Sequence, residues 1–81
     1  MDILFFGKLG DAIGRMVTVE APSGGCTVAE LRYLLASLYP MAAADLASPS
    51  LRACVEDRIV GEGFRVGADQ TVEFFPPLSG G

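Results

Sequence analysis

The feature that most constrains the fold is one well-marked helix in the middle of a chain otherwise rich in strand-forming residues. The sequence TVAE at 27–30 fits a capping box, in which Thr27 caps the helix and the Glu30 side chain reaches back to the Thr27 backbone. Apolar residues then recur at helical spacing, and Pro40 ends the helix near Tyr39. The apolar stripe comprises Val28, Leu31, Leu34, Leu35 and Leu38. Because one helix face must be buried, we expect the helix to pack on one sheet.

The segment before the helix has the patterns of two paired strands. Residues 2–7 are apolar on both faces, as expected for an interior strand. Residues 8–14 predict a short connection with about one helical turn. Residues 15–21 alternate, with Val17, Val19 and Ala21 on one side, which predicts a half-buried strand paired to the first.

The segment after the helix predicts three more strands. Residues 41–50 are ambiguous between a helical turn and a loop. Residues 51–56 favour a strand, Asp57 and Arg58 a turn, and Ile59-Val60 a short fourth strand that leads into a glycine-bearing loop. Residues 71–75 predict the last strand, which gives the order β-β-α-β-β-β.

The chain length sets the domain organisation. With 81 residues, the chain has room for one small hydrophobic core, and we find no repeat or internal linker. We therefore expect an α+β fold in which a mixed sheet of about four to five strands packs on one main helix. A domain over residues 1–75 is followed by an extended tail over residues 76–81.

Composition argues against several functions. The formal charge is −4 and the six basic residues are dispersed, so no basic stripe is available for nucleic acid. No apolar run approaches the roughly 20 residues that span a bilayer, and the start lacks the basic opening of a signal peptide, so we expect a cytoplasmic protein. Histidine is absent and Cys26 and Cys54 lack metal-ligand spacing, so we expect no metal site.

The glycines near 7–14 and 61–67 do not have the spacing of nucleotide-binding loops. We therefore expect no bound cofactor and no ATP site in this chain.

The sequence FFPPLSGG at 74–81 carries the clearest functional signal. Pro76 and Pro77 favour an extended backbone and cannot continue a sheet ladder, so they direct the end of the chain away from the body. Six residues beyond Phe75 reach about 20 Å at full extension. Gly80 and Gly81 would let a terminal carboxylate pass a narrow channel in which a Cβ would clash. A carboxylate is inert toward nucleophiles, so a separate ATP-using enzyme would have to adenylate Gly81.

These residues resemble a known family. The FFPP ending with its terminal Gly-Gly, the opening ILFFG, the helix start TVAELRYLL and the stretch VGADQTVEFFPP are similar to the sulfur-carrier small subunit of molybdopterin synthase, the MoaD family of ubiquitin-like β-grasp proteins. The resemblance spans essentially the whole chain. This chain departs from the family at Cys54, Val55 and Glu56, where members often have a small residue, valine and asparagine. The resemblance therefore does not predict the contacts of the turn that follows.

The resemblance implies a specific chemistry. An E1-like enzyme uses ATP to adenylate Gly81, and sulfur transfer converts the acyl-adenylate to a thiocarboxylate. The tail, with Pro76, Pro77, Leu78, Ser79 and Gly80 as threading residues, then enters the large subunit of molybdopterin synthase. There the sulfur passes to cyclic pyranopterin monophosphate. The implied assembly is a heterotetramer of two small and two large subunits.

The tail needs a second contact surface on the partner. Ordering six residues costs on the order of 6–12 kcal/mol of backbone entropy. If Ile3 and Phe5 face the helix, strand parity turns Leu4, Phe6 and Phe75 outward. Burying three or four such groups contributes roughly 5–12 kcal/mol, on the scale of the tail's cost. The resemblance adds Ile59 to these partner-binding residues. The alternative is that Phe6 and Phe75 complete the core.

The sequence is compatible with three other functions. A ubiquitin-like protein modifier would join Gly81 to lysines by an isopeptide bond. A β-grasp interaction module would not use its glycines. A thiocarboxylate carrier for another pathway, such as thiamine synthesis, would share the tail chemistry, although the chain length and the FFPP sequence favour the molybdopterin reading.

Overall fold

The structure, a computed structural model, describes residues 1–76, which form seven short strands and three helices. The strands are β1 (Asp2–Phe5), β2 (Met16–Thr18), β3 (Cys26–Thr27), β4 (Arg52–Val55), β5 (Arg58–Val60), β6 (Arg65–Val66) and β7 (Thr71–Phe75). The helices are α1 (Lys8–Ile13), α2 (Val28–Leu38) and α3 (Ala43–Leu46), with a 3-10 turn at Pro40–Ala42 before α3. None of the helices in the described part of the chain has the length and apolar character to cross a membrane.

Five strands form one mixed sheet in the order β2-β1-β7-β4-β5. The first and last strands of the chain, β1 and β7, lie side by side and parallel, while the other neighbours are antiparallel. The helix α2 lies between the β1-β2 half and the β4-β5 half in sequence. This confirms the predicted β-grasp fold, with a five-stranded mixed sheet and one main helix.

The main helix begins as its sequence predicts. The Glu30 backbone N–H donates to the Thr27 hydroxyl at 3.1 Å, and the Thr27 N–H donates to the Glu30 carboxylate at 2.8 Å. The latter hydrogen bond favours the charged carboxylate and lowers the pKa of Glu30. The stripe is buried at Val28, Leu31 and Leu35, whereas Leu34 is half-buried and Leu38 is exposed, so the last turn extends past the core.

The core lies between α2 and one face of the sheet. Ile3 and Phe5 of β1, and Val72 and Phe74 of β7, are fully buried, which confirms the predicted strand parity. The Phe5 and Phe74 rings stack with their centroids 6.0 Å apart. Because these pairs occupy facing positions on adjacent strands, the parallel pairing of β1 with β7 lies at the centre of the core.

Arg32 of α2 is a nearly buried cation that connects three parts of the fold. Its guanidinium donates to the backbone carbonyls of Leu46 and Ser48, each at 2.9 Å, and of Leu51 at 2.6 Å. It also pairs with Glu62 at 2.8 Å and lies 5.8 Å from the centre of the Phe74 ring. These contacts hold the 43–51 segment, which the sequence left ambiguous, against the helix.

Two local features differ from the sequence-based expectation. Residues 8–13 form a helix, α1, which is longer than the single turn predicted from the sequence. The glycine-bearing loop contains β6, which pairs with β3 in a second, two-stranded sheet. Two-residue strands carry too little alternation to be recognised in a sequence.

The predicted turn at Asp57 and Arg58 is displaced by one residue. Val55 pairs with Arg58, so the two-residue loop consists of Glu56 and Asp57, and both have positive φ, 51° and 66°. A tight hairpin with two positive φ values matches the twist of its strands but favours Asn and Gly. Glu56 therefore adopts a backbone conformation that is unfavourable for glutamate.

Replacing the buried cation should destabilise the fold strongly. We expect Arg32→Met to lower the free energy of unfolding by about 2–4 kcal/mol, because three carbonyls and Glu62 lose their donor. Chemical denaturation monitored by circular dichroism measures this change. The control is Arg52→Met, since the Arg52 guanidinium is exposed and donates to one carbonyl, that of Pro49. Equal losses in the two variants would contradict the role given to Arg32.

Relieving the backbone strain at Glu56 should stabilise the protein. We expect Glu56→Asn to raise the free energy of unfolding by about 0.5–1 kcal/mol, because asparagine tolerates positive φ better than glutamate. This corresponds to a rise in Tm of about 2–8 °C for a domain of this size. Glu56→Gln is the matched control, because it removes the same charge without changing the backbone preference. A rise as large in the control would assign the effect to charge instead.

Candidate functional site

The candidate site consists of the sheet face opposite α2 and the start of the tail. Among the predicted threading residues, Pro76 is described and exposed. The others lie outside the described residues, as does the predicted reactive position: Pro77, Leu78, Ser79, Gly80 and Gly81. Residues 1–76 define the surface from which the tail departs.

Strand register brings the predicted partner-binding residues to one sheet face, which we call the outward face. Leu4 of β1 is opposite Glu73 of β7, Glu73 is opposite Cys54 of β4, and Cys54 is opposite Ile59 of β5. These residues form one row across the sheet. Since neighbouring strands are about 4.8 Å apart, Leu4 and Ile59 are separated by roughly 14 Å.

Phe6 and Phe75 lie on the same face, one row closer to the tail. The Phe6 N–H donates to the Phe74 carbonyl at 3.0 Å, so the pairing of β1 with β7 continues one residue beyond β1. The Phe6 side chain is 45% exposed and that of Phe75 is half-buried. Neither side chain belongs to the buried core cluster, which contradicts the alternative that they complete the core.

The outward face also includes a residue that was not assigned to it from the sequence. Met16 of β2 is opposite Leu4 and is 56% exposed, so it extends the row to the edge of the sheet. The available signal was the alternation in residues 15–21, which places Met16 on the side opposite the buried Val19. The row is thus apolar at both ends, with Glu73 and Cys54 between.

Charge is distributed unevenly along the strands. The end of the sheet from which the tail leaves carries Lys8, Arg15 and Arg52. The opposite end carries Asp2, Glu56, Asp57 and Asp69, together with Arg58. The tail end also carries Asp11 and Asp45, so the charges there are mixed, whereas the opposite end is mainly anionic.

A groove opens at the base of the tail. It encloses about 300 Å³ and is lined on one side by Phe6, Gly7, Lys8 and Pro76, and on the other by residues of α3 and the segment after it, including Asp45 and Leu51. The groove is continuous with the outward face through Phe6. A partner that covers Phe6 would therefore also cover the groove.

Gly7 allows the tail to begin close to the body. Its φ of +68° is a conformation that glycine adopts without strain, and a Cβ at this position would lie 3.0 Å from the Cγ atom of Pro76. Any larger residue would displace Pro76. The turn after β1 therefore fixes the point from which the tail leaves the sheet.

The two thiols are poor nucleophiles. Cys26 is buried, and burial, reinforced by the negative charge of Glu30, raises its pKa. Cys54 is partly exposed on the outward face, and desolvation, with the adjacent Glu73 carboxylate, raises its pKa too. Both shifts favour the thiol over the thiolate that reacts or binds metal. Within residues 1–76, no three histidine, cysteine or acidic side chains are grouped as metal ligands.

Comparisons with solved structures show the same fold. The crystal structure of SAMP1 from Haloferax volcanii superposes with a TM-score of 0.80 at 23% identity, covering 99% of this chain and 97% of that one. The crystal structure of H. volcanii small archaeal modifier protein 1 gives a TM-score of 0.81 at 20% identity, covering 95% of each chain. At these identities the similarity concerns the fold.

Sequence comparison gives a narrower result. No curated protein matches the chain significantly. The sequence model of the ThiS family matches residues 3–81, which include both the outward face and the Gly-Gly end. The chain therefore belongs to the ThiS family of ubiquitin-like sulfur carriers.

Proposed function

We propose that this protein is a sulfur carrier whose Gly81 is adenylated and then converted to a thiocarboxylate. The observation that carries the proposal is that the ThiS family match extends through Gly80 and Gly81. The position of Pro76 supports it, because the tail starts at an exposed surface beside the outward face. We place the protein in the cytoplasm, where a separate E1-like enzyme would supply the activation.

The chemistry requires only the terminal carboxylate from this chain. The carboxylate oxygen attacks the α-phosphorus of ATP, and pyrophosphate leaves. Hydrosulfide released by a sulfur donor then attacks the carbonyl carbon, AMP leaves with the electron pair and the proton on sulfur passes to solvent, so the product carries sulfur in place of one oxygen. ATP binds to the partner enzyme. The absence of side chains at Gly80 and Gly81 gives the clearance that a narrow catalytic channel demands.

For the acceptor, we propose cyclic pyranopterin monophosphate, with this chain as the small subunit of molybdopterin synthase. The sequence FFPP-x-S-GG and the apolar opening ILFFG support this assignment over other members of the family. In the corresponding assembly, two small subunits flank a dimer of large subunits, and each tail delivers sulfur to an active site on the large subunit. Neither metal nor nucleic acid takes part in the contact.

The outward face is the proposed docking surface for both partners. Leu4, Phe6, Phe75 and Ile59 present apolar side chains beside the point where the tail departs. Burying part of this surface offsets the entropy lost when the tail is threaded. Because the same face serves both steps, the E1-like enzyme and the large subunit would bind in turn.

A protein modifier is the second candidate. It is favoured by the high structural similarity to a protein named a small archaeal modifier. A modifier would use the same adenylated Gly81 but transfer the acyl group to a lysine amine. A thiocarboxylate carrier that supplies another sulfur-transfer pathway, such as that of thiamine, would differ in its acceptor alone.

Mass spectrometry of the protein from its own cells separates a sulfur carrier from a protein modifier. We expect an intact species in which one oxygen is replaced by sulfur, with fragmentation placing the change at Gly81. A variant lacking Gly81 serves as the control and should show no such species. Sulfur-free protein alongside higher-mass conjugates joined through Gly81 would instead favour the modifier. Finding neither, after co-expression with a competent E1-like enzyme and sulfur source, would reject both.

Substitutions on the outward face test the docking surface. We expect Phe75→Ala and Phe6→Ala each to weaken large-subunit binding about 5–30-fold, as for apolar interface residues worth 1–2 kcal/mol. Calorimetric titration of the folded variants measures the affinity. Tyr33→Ala is the matched control, because Tyr33 is 79% exposed on α2, away from the sheet face. Unchanged affinity in both phenylalanine variants would remove the outward face from the interface.

A further inference from the structure

We propose that Gly7 is a positioning residue for the adenylation of Gly81. It acts through Pro76, the first residue of the tail, because the Pro76 ring is seated against Gly7 at the end of the sheet. Gly7 contributes no chemical group to the reaction. The proposal rests on the sulfur-carrier function proposed above, and it concerns how tightly the E1-like enzyme takes up the tail.

The Pro76 ring occupies the space that a side chain at position 7 would need. A Cβ on Gly7 would lie 3.0 Å from the Cγ atom and 3.3 Å from the Cδ atom of Pro76. The Gly7 backbone, with φ +68° and ψ −143°, is also in a region that glycine adopts without strain and other residues avoid. A larger residue would therefore both strain the turn and displace the ring.

The strand ladder leaves Pro76 without a backbone hydrogen bond to β1. Phe5 is opposite Phe74, and the Phe6 N–H donates to the Phe74 carbonyl at 3.0 Å. In the evenly spaced ladder of parallel strands, the next bond would run from the N–H of residue 76 to the Phe6 carbonyl. Proline has no N–H, so this bond cannot form. The contact with Gly7 therefore takes the place of a hydrogen bond in holding residue 76 beside β1.

The turn that carries Gly7 is held on both sides. Before Gly7, the hydrogen bond from the Phe6 N–H ties the chain to β7. After Gly7, the Gly7 carbonyl accepts from the Asp11 N–H at 3.2 Å in the first turn of α1, and Leu9 of the same helix is buried in the core. Gly7 is thus fixed relative to the sheet, and it fixes the Pro76 ring in turn.

A fixed Pro76 reduces the conformational entropy that is lost when the enzyme takes up the tail. Residues 77–81 follow Pro76 directly, so their starting point is set before binding. Holding the backbone of one residue in one conformation changes a binding equilibrium by a factor of about 5–30. This contribution is the same in the bound ground state and in the transition state. Its loss should therefore raise KM for the carrier and leave kcat unchanged.

The test measures ATP–pyrophosphate exchange by the E1-like enzyme from the same cells, with the full-length carrier as the varied substrate. We expect Gly7→Ala to raise KM about 5–30-fold at unchanged kcat, because the added methyl group displaces the Pro76 ring. In a Pro76→Gly background, which lacks the ring, the same substitution should raise KM less than about 2-fold.

Gly14→Ala is the matched control for backbone strain. Gly14 follows α1 and also has a positive φ, +124°, but a Cβ at this position would meet no described atom within 4 Å. The substitution therefore strains the backbone without touching Pro76. We expect it to lower the melting temperature and to leave KM unchanged.

Several results would overturn the proposal. They are an unchanged KM in Gly7→Ala, a lower kcat in place of a higher KM, an equal rise of KM in Gly14→Ala, and an undiminished effect in the Pro76→Gly background. Thermal melting checks that the variants are folded. If Gly7→Ala does not fold, nuclear Overhauser effects between the Gly7 Hα atoms and the Pro76 ring in wild type decide the question, and their absence would also overturn it.

Failure of the proposal is distinguishable from failure of the sulfur-carrier function. If wild type supports no pyrophosphate exchange, the sulfur-carrier function is rejected, and the role of Gly7 is rejected with it. If wild type is adenylated and Gly7→Ala has the same KM, the function stands and the positioning role alone is rejected.

Discussion

The parallel pairing of β1 with β7 is the contact on which the rest of the structure depends. It joins the first strand of the chain to the last and places Phe5 against Phe74 at the centre of the core. The same register sends the alternate side chains to the outward face. It also brings the turn after β1 beside Pro76. The core, the proposed docking surface and the start of the tail therefore all depend on this strand pairing.

Arg32 supplies the second constraint, because it adds polar contacts to a segment between α2 and β4 that buries Ala42, Leu46 and Leu51 in the core. Three carbonyls of residues 46–51 accept hydrogen bonds from one guanidinium, which is otherwise shielded by Phe74 and Glu62. A buried cation is costly unless all its neighbours are arranged for it. The side of the groove that includes Asp45 and Leu51 therefore depends on Arg32, a residue of α2 that does not line the groove.

Patterns that extend over several residues were predictable from the sequence. The capping box of α2, the alternation of β2 and the apolar strands β1 and β7 were recognised because each repeats one preference several times. The β3-β6 pair and the Glu56-Asp57 loop were not, since two-residue elements depend on tertiary contacts. Strand parity predicted that Leu4, Phe6 and Phe75 lie on the outward face. The charge distribution along the strands could not be predicted, because it depends on the register between strands, which no single segment encodes.

The pairing of β1 with β7 also bears on how the chain folds. These strands are separated by nearly the whole sequence, so their contact has a high loop-closure cost and folding of such topologies is slow. The central strand, β7, follows the other four strands of the sheet in sequence, so the sheet cannot close until β7 is available. Before β7 pairs, the apolar edge of β1 is exposed to chaperones or to aggregation, and Pro76 has no fixed position beside Gly7.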